Sequence, residues 1–68
     1  MGDVLKVIEI LAESDQSWED AAQKAVDRAC KKLQGVRSVY IKEFEAKVVD
    51  GKITSFRVNA KVSFLLED

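Results

Sequence analysis

The chain has 68 residues, a formal net charge of −1, one cysteine and no histidine. A chain of this length forms one small domain, here residues 1–68, and buries only about 60% of its unfolded surface, so we expect stabilisation by oligomerisation rather than by a disulfide or zinc. Its intermixed charges and short apolar runs disfavour nucleic acid and membrane partners and indicate a cytoplasmic protein.

The first predicted element is a β-strand over residues 4–12, with the sequence VLKVIEILA. Apolar side chains occupy both of its faces, with Val4, Ile8 and Ile10 on one and Leu5, Val7 and Leu11 on the other. A strand with one solvent-exposed face alternates apolar and polar residues, so this strand is expected to be covered on both sides.

A helix follows, beginning at Ser17, which starts the capping sequence S-x-x-D with Asp20. Its apolar residues repeat at i, i+3, i+4 and i+7 over four turns: Trp18, Ala21, Ala22, Ala25, Val26, Ala29, Cys30 and Leu33. The small alanines predict close packing of the helix on a sheet. The stripe also predicts that Trp18 packs in the core or at a subunit contact and that Cys30 is buried and unreactive.

The end of the helix is predicted from two signals. Lys31 and Lys32 complement the macrodipole in the last turn, and Gly35 offers a left-handed stop.

Two longer strands, residues 36–49 and 52–67, are separated by Asp50-Gly51, a strong signal for a type I′ hairpin turn. If Val49 lies opposite Lys52, the register follows by counting. It pairs Val39 with Val62, Ile41 with Ala60, Phe44 with Arg57, and Ser38 with Ser63.

This register divides the hairpin into two faces. The face expected to receive the helix carries Val39, Ile41, Val58, Ala60, Val62 and Phe64. The sheet face opposite the helix, which we call the open face, is expected to carry Ser38, Tyr40, Lys42, Phe44, Arg57, Asn59, Lys61 and Ser63. Aromatic rings among polar and charged groups are typical of a protein interface or a ligand site.

The element order β-α-β-β predicts an α+β fold, with one helix on a three-stranded antiparallel sheet of order 1-3-2. Strands 1 and 2 are then edges, and the long edge of strand 2 favours pairing with another copy. The chain has no histidine, no glycine-rich phosphate loop and no CxxC pair, so we do not expect an enzyme.

In its order and spacing of segments the chain resembles the dodecins, which are small β-α-β-β subunits. The segments that carry the resemblance are VLKVIEI, SWEDAAQKAVDRA, the turn near DGKI, and the ending VSFLLED. The resemblance implies a hollow homododecamer that binds or stores a small ligand, with flavin as the ligand of many members.

The resemblance also locates the family's flavin pocket. The tryptophan that stacks on flavin falls on Ser38, and the glutamine that hydrogen-bonds it falls on Arg57. A serine has no ring to stack, so the pocket is altered. Arg57 is expected to bind either an anionic ligand or a neighbouring carboxylate such as Glu43 or Glu45.

The segment SWEDAAQKAV is more similar to a tryptophan-lacking branch of the family, the calcium dodecins. Calcium prefers six to eight oxygen ligands, and the candidate ligands here are Glu13, Asp15, Glu19 and Asp20. The same residues also suit a helix start and a solvated loop.

The leading hypothesis is therefore a non-enzymatic dodecin-like cage for a small ligand or ion, calcium being one candidate. The alternatives are a flavin-binding cage in which Tyr40 or Phe44 supplies the stacking ring, and a structural assembly without a ligand.

Overall fold

The structure is a computed structural model that describes residues 3–66. Its elements in chain order are β1 (Leu5–Ser14), α1 (Trp18–Lys32), β2 (Val36–Val49) and β3 (Lys52–Leu65). The strands form one antiparallel sheet of order β1-β3-β2, and the helix packs on one face of it, which confirms the predicted α+β architecture. Within residues 3–66, no helix has the length and apolarity needed to cross a bilayer.

The core lies between α1 and the central strand β3. Its fully buried side chains are all small or medium in size: Ala21, Ala25 and Ala29 from the helix, and Val58, Ala60 and Val62 from β3. Because alanine keeps the helix axis near the sheet, the alanine spacing of the sequence sets this close packing.

The helix begins as predicted, with Ser17 Oγ accepting a 2.9 Å hydrogen bond from the backbone N–H of Asp20. Its end differs from the prediction. Leu33 is the C-cap and has an extended backbone, while its N–H donates to the Ala29 carbonyl oxygen. Gly35, with φ of +72°, instead turns the chain into β2, where its carbonyl oxygen accepts from Leu65 N–H at 2.9 Å.

The hairpin turn has the predicted conformation, with φ of +53° at Asp50 and +77° at Gly51. The register of four predicted pairs is confirmed: Val49 with Lys52, Val39 with Val62, Ile41 with Ala60, and Ser38 with Ser63.

The predicted pairing of Phe44 with Arg57 is wrong, because Phe44 lies opposite Val58. The register slips by one residue at Thr54, which has no partner in β2, and slips back at Lys42, which has no partner in β3. Each slip is a β-bulge. Between the two bulges the side chains of β2 change faces relative to simple counting, and Phe44 moves to the helix side of the sheet.

The expectation for Cys30 is also wrong, because its side chain is exposed. The helix rests on the sheet along the line through Ala25 and Ala29, which are both buried. Cys30 is adjacent to that line and lies outside the strip that a helix buries on a single sheet.

Candidate functional site

The open face is the sheet surface left uncovered by α1. Several large apolar side chains are exposed on it, namely Leu5, Val7, Leu11 and Tyr40, with Leu11 and Tyr40 the most exposed at 67% and 65%. The first three come from β1, so α1 covers only one face of this strand in the protomer, and the predicted cover of its second face stays a prediction. Within residues 3–66, none of the four elements covers them.

A row of ionic side chains crosses the open face near one end of the sheet. Arg57 on the central strand lies opposite Glu13 of β1 and opposite Glu45 of β2. Its Nε donates to Glu13 Oε2 at 2.7 Å, and its Nη2 donates to the same oxygen. Its Nη1 donates to Glu45 Oε1 at 3.4 Å. Each strand therefore contributes one member of this triad.

Within the protomer, the partners of Arg57 are carboxylates, and Glu45 rather than Glu43 is the partner on β2. The hydrogen bond and charge of Glu13, reinforced by Glu45, raise the pKa of Arg57 above its ordinary value. The guanidinium is thus a fixed positive charge held between two negative ones.

A shallow groove of about 330 Å³ lies beside the triad. Its lining residues are Leu11, Glu43, Phe44, Glu45, Arg57 and Asn59. The groove combines the apolar residues Leu11 and Phe44 with polar and charged groups of β2 and β3, which is the mixture found in small-ligand sites.

The other predicted pocket residues are divided between the two faces. Ser38 and Ser63 face each other on the open face and share a hydrogen bond of 2.6 Å between their hydroxyls. Tyr40 also lies there, opposite Lys61. The ring of Phe44 instead contacts Trp18, with the ring centroids 5.9 Å apart. The structure therefore brings Ser38, Tyr40 and Arg57 to one face and separates the Phe44 ring from them.

The four acidic residues predicted as calcium ligands have different surroundings. Glu13 is bound to Arg57, and the Asp20 carboxylate accepts from Ser14 Oγ at 2.6 Å and lies 3.5 Å from Lys24 Nζ. Asp15 and Glu19 are exposed. Among residues 3–66, no three His, Cys, Asp or Glu side chains converge into a group that could hold a metal within one protomer.

Ser14 was not singled out from the sequence, although it organises the loop before the helix. It is only 3% exposed, and its Oγ accepts from the backbone N–H of Gln16 at 2.9 Å and of Ser17 at 3.4 Å. Its donation to Asp20 lowers the pKa of that carboxyl below the ordinary value of 3.8, and Lys24 acts in the same direction. The signal in the sequence was the serine at the strand end, three residues before the helix cap.

The fold and the open face can now be compared with known proteins. The dodecin family model matches residues 4–67. The calcium dodecin of Mycobacterium tuberculosis is 42% identical over 62 residues, which cover 90% of this chain and 86% of that protein. The dodecin of Thermus thermophilus is 31% identical over 68 residues, covering 100% of this chain and 99% of that one.

Solved structures give the same result. A mutant of the Thermus thermophilus dodecin has a TM-score of 0.92 at 30% identity, covering 98% of this chain and 100% of that one. The Mycobacterium tuberculosis calcium dodecin, described as a calcium-chelating antigen with a novel calcium-binding site, has a TM-score of 0.80 at 38% identity, covering 94% and 91%. The chain belongs to the dodecin family.

Proposed function

We propose that this protein is a non-enzymatic subunit of a hollow homododecamer that binds a small ligand or ion between its copies, and that calcium is the ion. The observation that carries the proposal is the open face. It exposes apolar side chains of β1 and β2 beside a charged triad and a groove, and no element within residues 3–66 covers them.

The apolar part of the open face supports assembly. Val7 and Leu11 of β1 lie on the same face as Tyr40 of β2, so the exposed side chains span the sheet from edge to edge. An apolar surface of this kind is typical of an interaction site rather than of a surface in permanent contact with water. A neighbouring copy is the occupant that the dodecin family implies.

The hydroxyl pair of Ser38 and Ser63 supports an ion over a flavin. The family resemblance places the flavin-stacking ring at Ser38, where this chain has two small hydroxyls that satisfy each other. Such a pair offers no aromatic surface, and stacking is worth about 0.5–1.5 kcal/mol for each ring pair. The 42% identity with a protein named calcium dodecin also favours calcium.

Glu13, Asp15, Glu19 and Asp20 remain our proposed calcium ligands, and the proposal requires a neighbouring copy to complete the site. Calcium prefers six to eight oxygens. Glu13 and Asp20 already have partners in the protomer, which leaves the exposed carboxylates of Asp15 and Glu19 as the ones most available to an ion. Oxygens from a second copy would supply the remaining ligands.

Light scattering in solution tests the assembly, and the expected mass is that of a dodecamer. The variant Leu11→Glu places a charge on the exposed apolar surface and is expected to reduce the mass, whereas Gln23→Glu, at an exposed helix position, should leave it unchanged. A wild-type mass of a monomer or dimer at micromolar concentration contradicts the proposal.

Thermal unfolding with calcium, with magnesium and with a chelator tests the ion. A ligand that binds only the native assembly raises the melting temperature, so calcium should raise it and the chelator should reverse the effect. The double variant Asp15→Asn/Glu19→Gln should lose the shift, and Asp27→Asn, another exposed helix carboxylate, should retain it. Equal melting temperatures with calcium and with chelator contradict calcium binding.

A second candidate, flavin binding, is favoured by one observation. The Tyr40 ring is 65% exposed on the open face and is free to stack on a planar ligand. The Phe44 ring packs against Trp18 on the other side of the sheet, so Tyr40 is the residue on which this candidate depends. If neither calcium nor flavin binds, a structural assembly without a ligand is the remaining interpretation.

A further inference from the structure

We infer that the groove on the open face excludes anionic ligands, including phosphate-bearing ones, and takes neutral or cationic molecules, because its guanidinium is already bound by two carboxylates. The inference rests on the proposed ligand-binding function and specifies the charge class of the ligand. Arg57 is the specificity-determining residue, and Glu13 and Glu45 are the residues that control it.

All three nitrogens of the Arg57 guanidinium donate to carboxylates within the protomer. A guanidinium has five N–H groups, and it binds phosphate well when two of them are free to point at the ligand together. Here Nε and Nη2 both donate to Glu13 Oε2, and Nη1 donates to Glu45 Oε1. One of the two edges with which a guanidinium binds an anion, the edge formed by Nε and Nη2, is therefore filled by Glu13, and Nη1 on the other edge is engaged by Glu45.

Glu13 and Glu45 occupy the cross-strand positions directly opposite Arg57 on the two neighbouring strands. Their backbone positions are fixed by the sheet, so they bind Arg57 without the loss of translational and rotational freedom that an incoming ligand must meet. A phosphate therefore has to displace a carboxylate that the sheet already places beside Arg57.

The lining of the groove itself carries carboxylate charge. Besides Arg57, the groove is lined by the carboxylates of Glu43 and Glu45, while Leu11 and Asn59 are uncharged. An anion in the groove would therefore meet carboxylate repulsion in addition to the competition for Arg57. Lys61, the next basic residue of β3 on the open face, lies roughly 13 Å further along the strand and is not part of the lining.

The test is an NMR titration with inorganic phosphate at constant ionic strength, following the Arg57 Nε–H and the Asn59 backbone amide. The wild-type protein is expected to show no saturable shift. The double variant Glu13→Gln/Glu45→Gln releases the guanidinium and should bind phosphate at least about tenfold more tightly. Glu43→Gln is the matched control, because it removes one charge from the same groove without touching Arg57.

Three results would overturn the inference: saturable phosphate binding by the wild type, no gain in the released variants, or an equal gain in Glu43→Gln. If the double variant folds poorly, the single variant Glu45→Gln replaces it. This variant changes an exposed side chain, leaves the contact between Arg57 and Glu13 intact, and should give a smaller gain in phosphate affinity. The outcome is independent of the mass and calcium measurements, so failure of the proposed function and failure of this inference are distinguishable.

Discussion

Phe44 of β2 packs its ring 5.9 Å from that of Trp18, the first residue of α1. Phe56 of β3 completes the cluster, with its ring centroid 4.8 Å from Trp18 in an edge-to-face arrangement. The Trp18 indole Nε1 also donates to the Glu45 carbonyl oxygen at 3.2 Å. These contacts attach the beginning of the helix to the edge strand β2.

Phe44→Ala is therefore expected to lower stability. The loss of one aromatic pair should lower the free energy of unfolding by about 0.5–1.5 kcal/mol, and the fluorescence of Trp18, the one tryptophan in the chain, should change. Lys47→Ala, at another exposed position of β2, should leave both quantities nearly unchanged, because it removes no ring that contacts Trp18. Urea unfolding followed by tryptophan fluorescence makes the comparison. Equal stability of wild type and Phe44→Ala would contradict the packing described here.

The second prediction concerns the altered flavin position. We expect riboflavin fluorescence to remain unquenched by excess wild-type protein and to be quenched by Ser38→Trp. The new indole would lie on the open face, where Ser38 is exposed and its partner Ser63 is small and half-buried, so it has room to stack. Lys47→Trp, an exposed position elsewhere on β2, is the control for a tryptophan that does not form the pocket. Quenching by the wild type would instead favour the Tyr40 candidate.

The architecture was predictable because each element has a local signature. The helix follows from the period of Trp18 to Leu33 and from the Ser17 cap, and the hairpin follows from Asp50-Gly51. The strand order β1-β3-β2 then follows from the element order β-α-β-β, because one helix between β1 and the hairpin makes β1 antiparallel to β3. The placement of Ser38, Tyr40 and Arg57 on one face needed only the register, which agrees with simple counting at Ser38 and Tyr40.

The rest was not predictable, because it depends on features without a local signature. The bulges at Thr54 and Lys42 involve neither glycine nor proline, so alternation alone assigns Phe44 to the wrong face. The Glu13 partner of Arg57 lies on β1, and the pairing of β1 with β3 has no turn from which a register can be counted. The burial of Ser14 depends on the path of a loop between two packed elements.

The third prediction compares two glycines with the same backbone conformation. Gly35 and Gly51 have φ of +72° and +77°, so alanine at either position costs about 1–2 kcal/mol in backbone strain. A Cβ at Gly35 would also lie 3.2 Å from Leu65 Cβ, whereas one at Gly51 would have no neighbour within 4 Å. Gly35→Ala should therefore be the more destabilising in urea unfolding. A larger loss for Gly51→Ala would contradict this account of the connection between α1 and β2.

The fourth prediction concerns Ser14 and the pH dependence of stability. Because Ser14 Oγ lowers the pKa of the Asp20 carboxyl, native Asp20 stays ionised at a pH where the unfolded chain has begun to bind a proton. The contribution of the Asp20 carboxylate to the free energy of unfolding is therefore fully present above about pH 4. It is lost as the pH falls through the lowered native pKa of Asp20. The free-energy difference between wild type and Ser14→Ala should shrink as the pH falls from about 5 to about 2.

Ser17→Ala provides the matched control for this effect. It removes the hydrogen bond to the Asp20 backbone N–H, not the one to the carboxylate, and should cost about 1 kcal/mol at every pH. Ser14→Ala should cost more than Ser17→Ala near neutral pH, because the buried Ser14 hydroxyl serves two backbone donors as well as the carboxylate. Unfolding measured for all three proteins across the pH range separates the two roles. A Ser14→Ala deficit that stays constant down to the lowest pH would show that Ser14 supports the loop through its backbone contacts alone.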